Sequence, residues 1–315
     1  MHTPFRSVFA GAALFAFFAS LGVGVHSLAP SSPQGSLEFA SKGGGAWNWS
    51  GSKFSQGARC ERVFLGPFMG PASRRAIPGP YRKESTRKLK FLEFNMLNLF
   101  ERDFSLTDQK FNKGTDVKTE AQREGLARII RKSDPDIMTW VEVENFRAAE
   151  LFSDRYLDKR YQVFLMEGND PRGIDVAVLV KKDLPFEVEY RSLKDLAEVN
   201  SFSNHHEPEV KVFSRDLPMA IFRRLDGGMK KEEFILLSTH YKSQRGNQGS
   251  FPKRLLQAEA TESAVQHLRR EFGDDLPIIL TGDFNNDVPS SPEFAPLWRA
   301  GFKDSFDLSK NPIPK

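Results

Sequence analysis

The chain has 315 residues, and its shares of 39% apolar and 27% charged residues are typical of a soluble globular protein with room for one large domain and appendages. Its net charge of +4 is compatible with phosphate-rich partners but excludes the charge density of a dedicated nucleic-acid-binding arm. Cys60 is the only cysteine, which excludes an internal disulfide and leaves stability to the apolar core or to a bound metal.

Residues 1–27 have the pattern of a secretory signal peptide. Arg6 gives a positive start, Val8 to Val25 form an uncharged apolar run, and the segment that ends at Ser27 resembles a signal-peptidase cleavage site. An uncleaved membrane anchor is the alternative, because the run comes close to the length that spans a bilayer. The glycines within the run favour cleavage, so we expect a secreted or periplasmic monomer without stable membrane insertion.

Residues 28–86 predict a flexible linker that leads into a single domain at residues 87–315. The linker is rich in Ser, Gly and Pro and has no sustained helix or strand period. A basic run from Ser73 to Lys90 crosses its end. We interpret this run as a solvated approach to the first strand, with a phosphate-binding arm as the alternative.

Within the domain, apolar runs alternate with helical patterns. Thr119 and Gln122 form a capping box that predicts the start of a helix, with Leu126, Ile129 and Ile130 as its apolar stripe. The predicted elements in chain order are a strand at Leu89 to Phe94, the helix after Thr119, a strand at Ile137 to Val141, a helix at Arg147 to Lys159, strands at Tyr161 to Leu165, Val176 to Val180 and Phe234 to Thr239, a helix at Pro252 to Phe272 and a buried strand at Ile278 to Leu280.

The middle of the domain has a weaker pattern. Glu187 to Glu209 predict irregular structure, while Val210 to Phe213 and Met219 to Phe222 predict a hairpin. Asn204 to Glu207 include two adjacent histidines and a glutamate, which invites a metal-binding interpretation. We favour an exposed loop there, because neighbouring side chains in a strand point apart and the two histidines lack a helical i, i+4 spacing.

Five polar residues stand at the edges of apolar runs: Asn95, Glu142, Asp175, His240 and Asp283. If the strands share one orientation, their ends gather these groups at one rim of the sheet, where open α/β folds bind ligands. A lone histidine or glutamate after a strand is more often structural. The prediction of a site therefore depends on the coincidence of all five.

The stretch from Pro277 to Asp287 is the most informative in the chain. In extended backbone, side chains two apart point the same way, so Asp283 and Asn285 offer a carboxylate and an amide to one target. Such hard oxygen groups suit a Mg²⁺-like cation. A loop whose Asp and Asn residues cap turns is the alternative. The polar, glycine-containing loop that carries Lys242 is suited to holding a phosphate.

With these residues in place, the chain resembles the endonuclease/exonuclease/phosphatase superfamily of metal-dependent phosphoesterases. The resemblance implies a four-layer α/β sandwich, in which two mixed sheets pack face to face between outer helices. The matching segments, which follow the family's order, are Phe94 to Phe100, Val141 to Asn145, Arg172 to Ala177, Thr239 to Ser243 and Gly282 to Asp287.

The resemblance also implies roles for individual residues. Asn95 and Glu142 would hold a divalent metal, Mg²⁺ or Mn²⁺. Asp283 and Asn285 would orient the attacking water and the phosphate, and His240 would act in proton transfer or phosphate binding. The remaining candidates for phosphate or substrate binding are Arg172, Asp175 and Lys242.

The carboxyl end departs from the family pattern. Family members close with a segment whose histidine pairs with the aspartate of the Gly-Asp motif, whereas no histidine follows His267 in this chain. We therefore expect a fold that is incomplete at its carboxyl end and a chain that is a poor enzyme by itself. The implied function is a secreted phosphodiester hydrolase, with a nuclease acting on DNA or RNA favoured. The alternatives are a non-catalytic member that binds nucleic acid or another phosphate-bearing partner, and a sphingomyelinase-like lipid phosphodiesterase.

Overall fold

The computed structural model describes residues 63–65, 74–76, 88–102, 117–199, 210–226, 229–244 and 250–308. The predicted signal peptide and the segment Asn204 to Glu207 lie outside these residues. The strands are β1 (Val63–Leu65), β2 (Arg74–Ala76), β3 (Phe91–Leu99), β4 (Ile137–Val143), β5 (Tyr161–Phe164), β6 (Asp175–Lys181), β7 (Phe186–Arg191), β8 (Ala197–Val199), β9 (Val210–Lys211), β10 (Met219–Asp226), β11 (Met229–His240) and β12 (Ile278–Asp283). The helices are α1 (Glu120–Ser133), α2 (Phe146–Tyr156), α3 (Ser250–Phe272), α4 (Ala295–Arg299) and α5 (Ser305–Leu308), with a short 3-10 helix at Pro292–Phe294.

The strands form two mixed sheets and one small sheet. The four-stranded sheet has the order β3-β4-β6-β5, the five-stranded sheet has the order β12-β11-β10-β7-β2, and the small sheet has the order β1-β8-β9. In the two larger sheets, β3 runs parallel to β4 and β11 runs parallel to β12, while the other neighbours are antiparallel. The carboxyl ends of two adjacent strands therefore meet at one edge in each sheet.

Three apolar cores separate four layers and confirm the predicted α/β sandwich. Helices α1 and α2 cover the outer face of the four-stranded sheet, where Phe152 packs edge-on against Trp140. Helices α3 and α4 cover the outer face of the five-stranded sheet. The inner faces of the two sheets meet through residues such as Val178 and Phe234. In the described residues, no helix is both long and apolar enough to cross a membrane.

Alternation along β11 shows why its sequence is an unbroken apolar run. Phe234 and Leu236 pack between the two sheets, whereas Ile235 and Leu237 pack beneath α3. A strand that is buried on both faces needs apolar residues at every position. The predicted strand at Ile278 to Leu280 was expected to be equally buried, but these residues in β12 are only half-buried, because β12 is the last strand of its sheet.

The predicted capping box at the start of α1 is confirmed. Thr119 Oγ1 accepts a hydrogen bond from Gln122 N, and Gln122 Oε1 accepts one from Thr119 N. The helix ends at Asp134, whose backbone is left-handed, directly before Pro135. Ile130 is buried as expected, but Ile129 is 38% exposed and does not belong to the core face.

The predicted hairpin of Val210 to Phe213 with Met219 to Phe222 is wrong. Strand β10 pairs with β7 and β11, whereas β9 pairs with β8. The prediction of irregular structure from Glu187 onwards is also wrong where β7 and β8 form. Phe186, Val188 and Tyr190 alternate as in a half-buried strand, but the intervening glutamates obscured this pattern. One of them, Glu189, is buried because Arg191 and Arg223 pair with it.

Two short strands lie within the predicted linker of residues 28–86. Strand β2 pairs with β7 in the five-stranded sheet, and β1 pairs with β8 in the small sheet. The linker prediction is therefore wrong at these six residues, since their backbone belongs to the sheets. Backbone pairing of this kind depends on which partner strand is available, and no composition signal carries that information.

Candidate active site

The inner faces of the sheets change from apolar to polar towards one edge. Along β12, apolar Ile279 belongs to the core between the sheets, and Thr281 and Asp283 follow at the alternating positions. Thr281 Oγ1 lies 3.1 Å from Thr139 Oγ1 of β4 and joins the two sheets by a buried hydrogen bond. Beyond this bond, β3 at its bulge and the ends of β4, β11 and β12 carry four polar side chains.

Those four side chains form one cluster, which we call the strand-end cluster: Asn95, Glu142, His240 and Asp283. Asn95 Nδ2 donates to Glu142 Oε1 at 3.3 Å and to Asp283 Oδ2 at 3.0 Å. His240 Nε2 lies 4.0 Å from Glu142 Oε1 and 3.9 Å from Asp283 Oδ2. These contacts bring together four of the five residues that the sequence argument placed at one rim, whereas the fifth, Asp175, contacts Gly168.

Strained backbone marks the same place. Residues other than glycine rarely adopt positive φ, and such strain is typical of functional sites. Around the cluster, φ is 51° at Leu97, 61° at Asn98, 59° at Glu142 and 56° at Asn285. The pairing of β3 with β4 shifts between Asn95 and Leu99, so a bulge presents Asn95 and Glu142 at the sheet edge.

The orientation of Asn95 follows from its neighbour. Leu97 N donates to Asn95 Oδ1 at 2.8 Å, so the amide oxygen faces the backbone and the amide nitrogen faces the two carboxylates. In this orientation Asn95 holds Glu142 and Asp283 together by hydrogen bonds. To bind a metal as predicted, Asn95 would use the second lone pair of Oδ1, or its amide group would rotate so that Oδ1 faces the two carboxylates.

Burial and two arginines keep His240 uncharged. Desolvation first, and then the positive charges of Arg215 and Arg172, hold the pKa of His240 well below its usual value. The two carboxylates near Nε2 lie beyond hydrogen-bond distance and do not reverse this shift. His240 is thus a neutral imidazole at pH 7, and it has one N–H donor and one acceptor nitrogen.

Besides the two carboxylates of the cluster, a third carboxyl, that of Glu93, lies close to Asp283. Glu93 precedes Asn95 by two positions on β3, and burial together with the charge of Asp283 raises its pKa to about 8. Glu93 is therefore protonated at neutral pH. Its neutral form adds no further negative charge to the site.

Arg215 is the principal residue that sequence reasoning missed. It is 4% exposed, and its Nε lies 2.9 Å from Asp170 Oδ2 in an ion pair without hydrogen-bond geometry. Arg172, a predicted phosphate-binding residue, pairs with the other oxygen of Asp170 at 3.2 Å and remains exposed. Burial lowers the pKa of Arg215, and the negative charges of Asp170 first, and then of Glu142 and Asp283, act against that shift.

Lys118 is a second residue that sequence reasoning missed. Its ammonium donates to the carbonyl oxygen of Leu97 at the bulge. Burial lowers the pKa of Lys118, and the nearby Glu142 carboxylate partly restores it. Lys118 follows a segment without strand or helix periodicity, so no pattern in the sequence connected it with Glu142.

The remaining predicted site residues differ in how directly they join the cluster. Asn285 N donates to Asp283 Oδ1 at 2.9 Å, and Asn285 Nδ2 donates to Tyr241 O at 3.0 Å. The prediction that Asn285 and Asp283 point the same way is wrong, because β12 ends at Asp283 and the left-handed backbone of Asn285 turns its side chain aside. Lys242 lies two residues beyond His240 and is half-buried.

Asp175 is placed for a structural contact. It is buried, and its Oδ1 accepts a hydrogen bond from Gly168 N at 2.7 Å. Burial raises the pKa of Asp175 to about 7, although the Gly168 hydrogen bond opposes the shift. Its role in substrate binding stays a prediction.

The donor set of the cluster fits a hard divalent cation. Glu142 and Asp283 present carboxylate oxygens on either side of one amide, and no third acidic residue, cysteine or histidine in the described part of the chain joins them in a metal-binding group. A site with two carboxylates that leaves the other positions to water is typical of Mg²⁺. The neutral state of Glu93 and His240 leaves these two carboxylates as the negative charges of the site.

Comparison with known families matches most of the domain. A model of the Endonuclease/Exonuclease/phosphatase family matches residues 92–305. This range includes all four members of the strand-end cluster. Among curated proteins, no sequence matches this chain.

Three solved structures illustrate the structural similarity. They are truncated Caenorhabditis elegans TDP2, the human nocturnin catalytic domain with bound sulfate anion, and sphingomyelinase C from Streptomyces griseocarneus. Their sequence identities are 20%, 17% and 18%, and the TM-scores are 0.40, 0.42 and 0.41. The matches cover 64%, 58% and 69% of this chain, which in turn spans 64%, 64% and 70% of the three structures.

Proposed function

Because the chain belongs to the endonuclease/exonuclease/phosphatase family, we propose that it is a metal-dependent phosphodiester hydrolase that cleaves nucleic acid, DNA or RNA. The observation that carries the proposal is the strand-end cluster, in which the Asn95 amide and the neutral His240 imidazole each lie within 4.0 Å of both carboxylates. The positive charge of buried Arg215 interacts with the same two carboxylates. The signal-peptide pattern supports export, so the substrate would be extracellular or periplasmic.

Glu142 and Asp283 are the residues that would hold Mg²⁺ or Mn²⁺, with Asn95 beside them. A cation bound there supplies Lewis-acid polarisation of a phosphate oxygen. Asn95 keeps the two carboxylates at a fixed separation by donating to both.

Asp283 is the residue best placed to orient the attacking water. Its two oxygens receive hydrogen bonds from Asn95 Nδ2 and Asn285 N, which fix the plane of the carboxylate. The free lone pairs can accept the proton of the water as its oxygen bonds to phosphorus and the ester bond breaks. The leaving oxygen departs with the bonding electron pair and takes a proton from solvent. His240, as a neutral imidazole, offers an N–H donor to the phosphate.

Arg215 and Arg172 would bind the oxygens of the phosphate. Arg215 is held by Asp170 and is already desolvated, so its orientation is set before substrate arrives. Preorganised donors that do not reorient during reaction are the most effective electrostatic catalysts. Exposed Arg172 can adjust to the substrate, and Lys242 follows His240 by two residues.

The decisive experiment is hydrolysis by purified protein in Mg²⁺ or Mn²⁺, with plasmid DNA, single-stranded RNA and a sphingomyelin mimic as parallel substrates. We expect cleavage of nucleic acid that EDTA abolishes. Cleavage of the sphingomyelin mimic alone would replace the nuclease assignment by a lipid phosphodiesterase. Tight binding of DNA or RNA without turnover would indicate a non-catalytic member.

We expect Glu142→Gln to weaken Mn²⁺ binding by at least about tenfold and to lower activity in parallel, because a hard cation loses a charged ligand of unchanged size. Isothermal titration calorimetry of wild type and variant measures the affinity. Glu150→Gln on α2, which removes a surface carboxylate paired with Arg147, is the matched control and should bind Mn²⁺ like the wild type. Equal affinities for Glu142→Gln and wild type would remove Glu142 from the metal site.

A further inference from the structure

A buried ion pair lies behind the strand-end cluster. Arg254 of α3 meets Glu293 of the 3-10 helix, with distances of 2.9 Å from Nε and 2.8 Å from Nη2 to the same oxygen, Oε1. Arg254 is 5% exposed and Glu293 is 1% exposed. Neither residue belongs to the cluster, and no motif in the sequence connects them with it.

Each partner of this ion pair also holds one of the two loops that carry the site. Arg254 Nη1 donates to Lys242 O at 3.1 Å, two residues beyond His240. Asn286 Nδ2, three residues beyond Asp283, donates to Glu293 Oε1 at 2.7 Å. The ion pair therefore connects the loop after β11 to the loop after β12.

Additional contacts join the same two loops. Gln257, one turn along α3 from Arg254, accepts a hydrogen bond from Lys242 N at 2.9 Å. Gln244 Nε2 donates to Asn286 Oδ1 at 2.8 Å and links the loops directly. Lys242 is thus held through both its N–H and its carbonyl, while Asn286 is held through both ends of its amide.

Stability alone does not account for a buried ion pair at this position. Desolvation of two charges commonly offsets their attraction, and well-packed apolar pairs of similar volume are often as stable or more stable. Elsewhere on the buried face of α3 the chain uses such apolar residues, among them Val265 and Leu268. Unlike apolar side chains, the ion pair makes directional contacts. Arg254 donates to a loop backbone and Glu293 accepts from a loop side chain while the two residues pair with each other.

We propose that Arg254 and Glu293 are positioning residues, which clamp together the two loops that follow His240 and Asp283 and so hold the rim of the site in place. This inference rests on the proposed hydrolase function. Misplacement of catalytic groups by about 1 Å can lower a rate by about 100-fold. Removing the ion pair should therefore lower turnover by displacing the groups at the site.

The test replaces the ion pair by apolar residues in the double variant Arg254→Met with Glu293→Leu. We expect a melting temperature close to that of the wild type, because the lost hydrogen bonds to Lys242 O and Asn286 Nδ2 offset the gain from removing two buried charges. We also expect a fall in kcat of about 10- to 100-fold with little change in KM. Amide hydrogen exchange of residues 241–244 and 284–287 should become faster. If the double variant folds poorly, Glu293→Gln keeps the shape and an acceptor for Asn286, and should show a smaller loss of kcat in the same direction.

Leu268→Ala is the matched control, because it removes a buried apolar side chain from the same helix and takes no hydrogen bond from either loop. It should lower the melting temperature and leave kcat at 25 °C within about twofold of wild type. Wild-type kcat and unchanged amide exchange in the double variant would overturn the inference. If the wild type hydrolyses no phosphodiester, the proposed function fails. Amide exchange still tests the positioning role in that case, because faster exchange in the double variant supports it and unchanged exchange contradicts it.

Discussion

Asp283→Asn is expected to fold like the wild type and to lose turnover by about 10² to 10⁴-fold, the range associated with removal of a general base. The amide has the size of the carboxylate, so the strand should still form, although the NH₂ group cannot accept one of the two hydrogen bonds that Asn95 and Asn285 donate to Asp283. Its NH₂ group, however, cannot accept the proton of the attacking water, and the site loses one of its two negative charges. Single-turnover rates at saturating Mn²⁺, with melting temperature and circular dichroism measured alongside, separate chemistry from folding.

Asp287→Asn is the matched control in the same loop. Asp287 is exposed and accepts a hydrogen bond from Ser290, so its loss should change turnover by less than about twofold. A large fall in melting temperature for Asp283→Asn without loss of activity would instead identify Asp283 as a structural residue. Equal effects of the two substitutions would show that loop charge, and not the position of Asp283, determines the rate.

Gly282→Ala should destabilise the fold by about 3 kcal/mol, since it combines backbone strain with a steric overlap. Gly282 has a φ of 137°, and a Cβ atom there would lie 2.0 Å from Thr239 O and 2.7 Å from Thr239 N on the neighbouring strand. Backbone atoms cannot move aside as a side chain can, so β12 must separate from β11. Because Asp283 follows directly and pairs with His240 in the register, activity should fall with stability.

Urea unfolding of the wild type, Gly282→Ala and the control variant Gly125→Ala measures this effect. Gly125 lies within α1, and a Cβ atom added there would meet no other atom within 4 Å, so alanine fits without overlap. Alanine should stabilise this helix position by about 0.5 to 1 kcal/mol. A Gly282→Ala protein with wild-type stability would mean that β11 and β12 do not pack as closely as the distances to Thr239 indicate.

The strand-end cluster was predictable because its polar residues stand at the edges of apolar runs, which can be recognised in the sequence. Phe234 to Thr239 is an apolar run that ends in His240, and the run before Asp283 ends in the same way. Apolar runs identify strands, and the parallel pairs place their ends together. The α/β sandwich followed from the order of these runs and from the family resemblance.

Arg215 and Lys118 were not predictable in the same way. Both lie outside regular elements, and each reaches the site through contacts with residues distant in the chain. The orientation of Asn285 was also missed, because the end of β12 and the left-handed turn after it depend on the packing against Tyr241. The pattern of apolar residues along a segment predicts which of its side chains are buried. It does not predict which distant loop will pack over the end of that strand or helix.

The division of the cluster between the two sheets has a consequence for folding. Asn95 and Glu142 belong to the four-stranded sheet, while His240 and Asp283 belong to the five-stranded sheet. A cation held by Glu142 and Asp283 would therefore act as an ionic cross-link between the two halves of the sandwich, and its binding energy would count as folding energy. Because the chain has a single cysteine, an internal disulfide cannot make such a cross-link.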